Sequence, residues 1–213
     1  MLLTAKISVL IPVFNSSLFI DECLSSILKQ TLQNIELICI NDGSTDDSLT
    51  KLLSWQEKDP RIKTLTQENK GVGATRNIAI QNATGEYIAF IDPDDWYPKP
   101  DILETLYTKA VKNNANICGG SFSDFNNGTY NTFFTEGQQK YTFKKEGFMN
   151  FNDYQFDYGF TRFIYKRDFI LNSNICFPNY KRFQDPPFFV SAMIHSKKIL
   201  CHTKNNLLLQ ARA

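Results

Sequence analysis

The sequence predicts an α/β fold with a mostly parallel central sheet flanked by helices. Short apolar segments rich in β-branched residues alternate with segments of helical periodicity through the first 121 residues, as in consecutive βαβ units. Three polar clusters, residues 12–15, 42–46 and 92–95, directly follow predicted strands. Ligands of such sheets bind at the carboxyl ends of the strands, so the three clusters indicate one shared site.

The strands of the first half are predicted from continuous apolar runs, which are typical of strands buried on both faces. They cover residues 7–12, 35–41, 62–66, 86–91 and 116–121. The helices are predicted at residues 18–30, 44–58, 74–82 and 101–113. Ser16 or Ser17 is expected to cap the first helix, and Ser44 opens a segment that resembles a capping box for the second.

After residue 121 the pattern changes to a smaller, mixed β region. Asn126, Asn127 and Gly128 predict a hairpin turn. Further strands are expected at residues 160–165, 199–202 and 206–210, with a helix at residues 187–196. No internal repeat or low-complexity linker divides the chain, so we expect one domain over residues 1–213, with halves at residues 1–121 and 122–213.

The net charge of +1 argues against general nucleic-acid binding. The charges are nevertheless unevenly divided: residues 1–139 carry 11 Lys and Arg against 17 Asp and Glu, and residues 140–213 carry 12 against 5. An acidic front half suits a cation site, and a basic rear half suits an anionic partner such as a phospholipid head group or a diphosphate. Solvated surface charge without a function explains the same distribution.

Five cysteines occur, none of them in a C-x-x-C pair. Most lie in apolar runs and are interpreted as small buried side chains in a reducing compartment. No apolar run approaches the ~18 residues that a membrane span needs. We therefore expect a cytoplasmic protein, and the basic rear half favours peripheral contact with an anionic membrane.

The strongest candidate site is the acidic segment of Asp92, Pro93, Asp94 and Asp95, directly after a predicted strand. Carboxylates this close repel one another unless a cation lies between them. Mg²⁺ or Mn²⁺ bridging a diphosphate would serve, since it needs only one or two protein carboxylates. An ordinary Asp-Pro turn explains these residues equally well.

Two further segments carry candidate ligand-binding residues. Gly43 permits a tight turn after the second strand, and Asp42 is expected to remain free to accept a hydrogen bond from a base. Residues 69–77 have the spacing of neither a P-loop nor a dinucleotide-binding fingerprint. The predicted helix start there, with Lys70 and Arg76 nearby, nevertheless suits an anion.

In this order and spacing, four segments together closely resemble the family-2 glycosyltransferases: residues 7–15, 41–46, 69–77 and 92–96. The resemblance continues thinly through residues 160–168 and 183–189. It implies a GT-A (Rossmann-like) fold, a nucleotide-sugar half followed by an acceptor half, and transfer of a sugar from a nucleotide-activated donor. It does not specify the sugar.

The resemblance also implies roles for residues on the donor side. Pro12, Val13 and Phe14 would border the pocket for uracil, with Asn15 in the same donor-binding segment, and Asp42 would accept a hydrogen bond from the base.

The phosphate side is assigned in the same way. Asp92 would lie near the ribose and Asp94 would bind Mn²⁺ or Mg²⁺. Arg76, helped by Lys70, would approach the diphosphate or the donor sugar, and Asp95 would lie near the donor–acceptor junction.

Gln184 and Asp185 fall where the family usually has Glu and Asp, so the resemblance implies that Asp185 is the catalytic base. It would take the proton of a glycan or lipid-linked acceptor hydroxyl in a single displacement with inversion, as in surface-polysaccharide assembly. Some members complete the metal site with a late His, but for His195 and His202 we favour surface or hydrogen-bonded structural roles. Relatives often carry more sequence beyond this region, which leaves a C-terminal truncation open.

Two rival functions share this architecture or these motifs. A sugar-nucleotide pyrophosphorylase would need a glycine-rich, basic loop after the first strand, and residues 12–17 are neither. A catalytically inactive module that binds a nucleotide sugar or a glycan is favoured by Gln184 alone, and the intact pair of Asp92 and Asp94 argues against it.

Overall fold

The computed structural model describes residues 5–126, 129–131, 143–154 and 159–210, with side chains described in residues 5–121, 143–153 and 159–203. The strands are β1 Ile7–Val13, β2 Ile35–Asp42, β3 Ile62–Gln67, β4 Tyr87–Phe90, β5 Ile117–Asn126, β6 Thr129–Asn131, β7 Gly147–Asn150, β8 Phe163–Lys166 and β9 Lys198–Gln210. The helices are α1 Ile20–Leu28, α2 Ser48–Lys58, α3 Val72–Asn82, α4 Ile102–Lys112, α5 Phe151–Tyr154, α6 Arg167–Asn172 and α7 Asp185–Ser196.

All nine strands of this part of the chain belong to one sheet, in the order β3-β2-β1-β4-β8-β5-β9-β7, with β6 paired to β5. The first four strands of that order are parallel. Strand β8 runs antiparallel between β4 and β5, while β9 is parallel to β5 and antiparallel to β7. The predicted parallel sheet with a mixed second region is confirmed, although β8 separates the predicted fifth strand from the fourth.

Helices cover both faces of the sheet because its strands are apolar on both sides. In β1, Ile7, Val9 and Ile11 pack into the core beneath α1, α2 and α4, whereas Leu10 packs into the core beneath α3, α6 and α7. The second core is aromatic, and its Phe177 and Phe188 rings stack at 4.0 Å between centroids. The pairing of β1 with β2 and with β4 fixes where the ends of these three strands lie.

Two predicted helix starts are wrong. Helix α1 begins at Ile20 after Phe19, which makes no side-chain capping bond, so neither Ser16 nor Ser17 caps it. Helix α2 begins at Ser48, so the predicted capping box at Ser44 does not form.

In the rear half, residues 160–165 form a 3₁₀ turn, Phe160–Arg162, followed by β8 instead of one strand. The two predicted closing strands are the single strand β9, which shifts register opposite residues 120–122. The pairing of Asn126 with Thr129 confirms the hairpin, while its turn residues 127 and 128 lie outside the described residues.

The predictions for cysteine and histidine agree with the structure. Four cysteines are buried, Cys176 is exposed and all five are free thiols. His195 is exposed, with Nδ1 2.8 Å from the Ser191 carbonyl, and the buried His202 lies with Nδ1 2.5 Å from Glu146 Oε1. Within the described ranges, no helix combines the length and the apolarity that crossing a membrane requires.

Candidate active site

Asp42, the last residue of β2, is almost fully buried, with 3% of its surface exposed. Its Oδ1 accepts hydrogen bonds from Gln67 Nε2 at 2.6 Å and from the Lys70 N–H at 2.8 Å. Its Oδ2 accepts one from the N–H of Gly71 at 2.9 Å, and Gly71 lies at φ +85° just before α3. Asp42 therefore fixes the loop that leads into α3, a structural role that the sequence did not indicate.

A cavity of about 280 Å³ opens beside this loop. Its walls come from the end of β1, the end of β2 and the start of α3, and are formed by Pro12, Val13, Phe14, Asp42, Asn69, Gly71, Val72 and Thr75. Phe14 is 49% exposed, so its ring is available to pack on a ligand. The position and the mostly apolar walls suit one flat ring held at the carboxyl end of a parallel sheet.

Asn15 and the loop after β2 bind to each other. The N–H of Asn15 donates to Ser44 Oγ at 3.0 Å, and the N–H of Thr45 donates to Asn15 Oδ1 at 2.8 Å. Burial acts to raise the pKa of Asp46, but hydrogen bonds from Ser48 and Ser17 outweigh it and hold that pKa at about 2. This polar cluster, which the sequence placed in the site, joins the β1 and β2 loops and so shapes the cavity from outside.

The acidic segment after β4 folds into one turn, in which the N–H of Asp95 donates to the Asp92 carbonyl at 3.0 Å. Asp95 is buried, whereas Asp92 and Asp94 are half-buried. Among the described residues, no three His, Cys, Asp or Glu side chains form a metal-binding group. Mg²⁺ needs only one or two protein carboxylates when phosphate oxygens complete its shell, so the half-buried Asp94 fits a metal ligand without a protein cage.

Arg76 joins this turn to the start of α7. Its Nη2 donates to Asp92 Oδ1 at 2.8 Å and its Nη1 donates to Asp185 Oδ1 at 2.7 Å. Arg76 is only 3% exposed, and its guanidinium lies 4.8 Å from the Phe160 ring centroid and 5.3 Å from that of Phe177. The structure thus brings together three predicted site residues, and Arg76 contacts protein carboxylates, whereas the resemblance implied contact with the diphosphate or the donor sugar.

Burial dominates the protonation of Asp185. It raises the pKa of this carboxyl above its ordinary value, and Asp92 adds to the increase, although Arg76 acts in the opposite direction. The Asp185 side chain keeps 37% of its surface exposed, so a substrate can reach it. A raised pKa makes the ionised carboxylate a stronger base, which general-base catalysis requires.

Asp185 is the first residue of α7, whereas the sequence predicted that this helix starts at residue 187. Gln184 precedes it, 7% exposed, and its Cγ lies 3.3 Å from where a Cβ on Gly73 would be. The absence of a side chain at Gly73 lets the start of α7 approach α3 closely. That glycine was the one sequence signal for this contact, and the aromatic rings beneath Arg76 had none beyond the high Phe content.

An α/β sheet with its polar site at the strand ends, extended by a mixed β half, is the architecture of a GT-A glycosyltransferase domain. The sequence model described as Glycosyl transferase family 2 matches residues 8–171. The chain therefore belongs to this family, as its motifs predicted.

Individual relatives agree with this assignment. The chain is 33% identical to the glycosyltransferase GlyG of Streptococcus pneumoniae serotype 4 over 218 residues, covering 97% of this chain and 71% of GlyG. It is 44% identical to the glycosyltransferase GlyA of the same organism over 126 residues, covering 59% of this chain but 18% of GlyA.

The solved structure of S. aureus TarS 1-349 superposes with a TM-score of 0.84 at 23% identity, covering 96% of this chain and 60% of that one. At this identity the likeness confirms the GT-A fold alone. The chain spans less than two thirds of the length of GlyA and of this TarS chain.

Proposed function

We propose that this protein transfers a sugar from a UDP-linked donor to a hydroxyl of a glycan or lipid-linked acceptor, with inversion. The observation that carries the proposal is the ion pair of Arg76 with both Asp92 and Asp185, which holds a basic carboxylate beside the acidic turn. TarS 1-349, whose fold this chain shares, was crystallised with UDP-GlcNAc. A mannosyltransferase of similar fold was crystallised with GDP-Man and Mn²⁺. Both complexes support a nucleotide-sugar donor here.

The donor base is assigned to the cavity at the ends of β1 and β2. Its small volume and the exposed Phe14 ring suit a pyrimidine, with Pro12 and Val13 as the apolar floor. Asp42 shapes this cavity through the N–H groups of Lys70 and Gly71, and its Oδ2 accepts only one hydrogen bond from the described residues. The remaining lone pair of Oδ2 is available for the N3–H of uracil.

Deprotonation of the acceptor is assigned to Asp185. Among the described residues, Arg76 is its only hydrogen-bond donor and uses Oδ1, so Oδ2 is the oxygen that would take the hydroxyl proton. As the proton leaves, the acceptor oxygen attacks the anomeric carbon from the side opposite the departing nucleoside diphosphate. The raised pKa of Asp185 favours this transfer.

The leaving diphosphate is assigned to the acidic turn. Asp94 would hold Mn²⁺ or Mg²⁺, which when bound neutralises the negative charge that develops on the diphosphate. Asp92 is oriented by Arg76 and faces the ribose side, and the buried Asp95 shapes the turn near the donor–acceptor junction. The exposed Lys70 can reach an anion in front of α3.

The acceptor is assigned to the segment just before Asp185. Tyr180 and Phe183 are 60% and 79% exposed, and Phe183 is held at φ +60°. Lys181 and Arg182 between them are exposed and form no ion pair within the described residues. Exposed rings suit the faces of sugars, and the cations suit a phosphate of a lipid-linked acceptor or an anionic membrane surface.

We also propose that residues 1–213 act as one domain, in which residues 1–121 bind the nucleotide sugar and residues 122–213 bind the acceptor. The inactive binding module remains a rival because Gln184 replaces a carboxylate. Gln184 is buried against Gly73, which favours a packing role for this position. A loss of that carboxylate therefore does not by itself remove the proposed base.

Release of nucleoside diphosphate across a panel of sugar nucleotides, with and without Mn²⁺, tests the proposal. Turnover that requires both a UDP-sugar and a divalent metal supports it. Binding of UDP without turnover of any donor would favour the inactive module.

A further inference from the structure

The Arg76 side chain contacts both ends of the described site. It lies on α3, more than ninety per cent buried, and donates to Asp92 on the turn after β4 and to Asp185 on α7. The contact with Asp185 spans 109 positions of the chain. No other hydrogen bond among the described residues holds the carboxylate of Asp185.

We propose that Arg76 is a positioning residue for the base, which fixes the Asp185 carboxylate in place and keeps it ionised, and that it is not a ligand of the donor diphosphate. This inference rests on the proposed function, because it assigns Asp185 the role of base. It replaces the role that the sequence suggested for Arg76.

The packing around Arg76 supports a fixed guanidinium. Its plane lies near the faces of Phe160 and Phe177, and Phe177 is tied to the same helix by two hydrogen bonds with the Asn77 side chain, at 2.8 and 2.9 Å. Turning Arg76 toward a bound anion would leave Asp92 and Asp185 without their cation. Two partly buried carboxylates without a compensating charge are unfavourable, so the observed pairing is strongly preferred.

The charges around Asp185 determine its protonation. Burial and the neighbouring Asp92 favour the neutral acid, and Arg76 is the cation that favours the carboxylate. Loss of the Arg76 charge would therefore raise the pKa of Asp185 further and lower the fraction of ionised carboxylate at a given pH. An arginine serves better than a lysine here because its planar fork donates to two carboxylates at once.

Three variants separate the effect of the Arg76 charge from the effect of its fixed geometry on Asp185. Arg76→Met removes the charge at similar length, Arg76→Lys keeps the charge but loses the fork, and Arg61→Met is the control. Arg61 donates to Asp59 in a comparable ion pair at the start of β3, away from the site. Each variant is compared with the parent by its melting curve, its UDP dissociation constant and the pH dependence of kcat/KM.

For Arg76→Met we expect the acid limb of the pH profile to move up by roughly 1–3 pH units, the range of an arginine's effect on a neighbouring Asp. In Arg76→Lys the limb should stay near its original pH while kcat falls by roughly 10²-fold, because the carboxylate loses its fixed position. UDP affinity should fall by less than tenfold in both, because Asp92 loses or loosens its partner while Arg76 itself does not bind the donor. Arg61→Met should leave the acid limb, kcat and UDP affinity unchanged.

Unchanged kcat in a folded Arg76→Lys protein would overturn the positioning role. A UDP dissociation constant more than tenfold weaker, with an unmoved acid limb, would instead make Arg76 a diphosphate ligand. The double variant Arg76→Met with Asp185→Asn should have the same kcat as Asp185→Asn alone. The two effects should not add, because Arg76 acts through Asp185.

If the protein shows no turnover with any donor, the proposed function fails while this inference can still be judged. Titration of the Asp185 carboxyl by ¹³C NMR reports its pKa without activity. A higher pKa in Arg76→Met than in the parent supports the electrostatic contact, and equal values refute it.

Discussion

Replacement of Asp42 by alanine tests whether this residue builds the donor cavity. The change removes the acceptor of three hydrogen bonds, from Gln67 Nε2 and from the N–H groups of Lys70 and Gly71. Each donor left without a partner in a buried place costs about 1–3 kcal/mol, and water can reach part of this exposed loop. We therefore expect the free energy of unfolding to fall by roughly 2–4 kcal/mol. This is near the low end of the summed cost of three unpaired donors, because water replaces part of the lost bonding.

For a chain of this length, such a loss corresponds to a fall in Tm of roughly 4–16 °C. UDP binding should weaken as well, by about 1–3 kcal/mol, because the loop shapes the cavity and Asp42 offers its remaining lone pair to the base. Asp42→Asn should have a stability and a UDP affinity between those of the parent and of Asp42→Ala. An asparagine oxygen can keep two of the three bonds, but its NH₂ would face the N–H of Gly71.

Urea unfolding and calorimetry with UDP, CDP and ADP measure the two effects. Asp59→Ala is a matched control, since Asp59 also accepts from a backbone N–H and a side chain, both of Arg61. It should lose stability without losing UDP affinity. If Asp42→Ala keeps its stability within about 0.5 kcal/mol, below the cost of one lost bond, Asp42 does not hold the loop; if the parent binds the three nucleotides equally, the uracil assignment fails.

Four further predictions concern the reaction. Asp185→Asn should fold and bind UDP normally but transfer sugar roughly 10²–10⁴-fold more slowly, and a near-normal rate would make Asp95 the next candidate base. Asp94→Ala should abolish turnover, as EDTA should in the parent; full activity in EDTA would contradict the metal assignment. Phe183→Ala should raise the acceptor KM and leave the donor KM unchanged, with the exposed Phe148 as a control position. Liposome flotation should depend on anionic lipid and on salt, and independence from both would remove the electrostatic basis for membrane contact.

The sequence predicted what depends on short stretches of chain. Continuous apolar runs located the strands of the front half, and the polar residues after them lie together at the candidate site. Asp42 was correctly placed at a strand end, yet its partners lie 25–29 positions away, and nothing local indicated that they would close on it. The predicted start of α2 at Ser44 instead of Ser48 was wrong for the same reason, since the Ser44 hydroxyl accepts a hydrogen bond from the backbone N–H of Asn15.

The link between Arg76 and Asp185 is the clearest case of tertiary information. Each residue was singled out separately, and their contact depends on how α7 packs on α3 at Gly73. Sequence alone offered a diphosphate as the natural partner of a cation near a helix start. In the structure, Arg76 instead donates hydrogen bonds to the carboxylates of Asp92 and Asp185, which the fold brings beside it.

The place of β8 in the sheet has a consequence for the order in which the chain can fold. During synthesis the four parallel strands are complete long before Phe163–Lys166 emerges, so the outer edge of β4 has no partner during that interval. An open strand edge is a template for pairing with other chains. A shortened form that ended before β8 would keep that edge exposed permanently and would leave Arg76 without Phe177 and Asp185, so aggregation and poor yield are the expected properties of such a fragment.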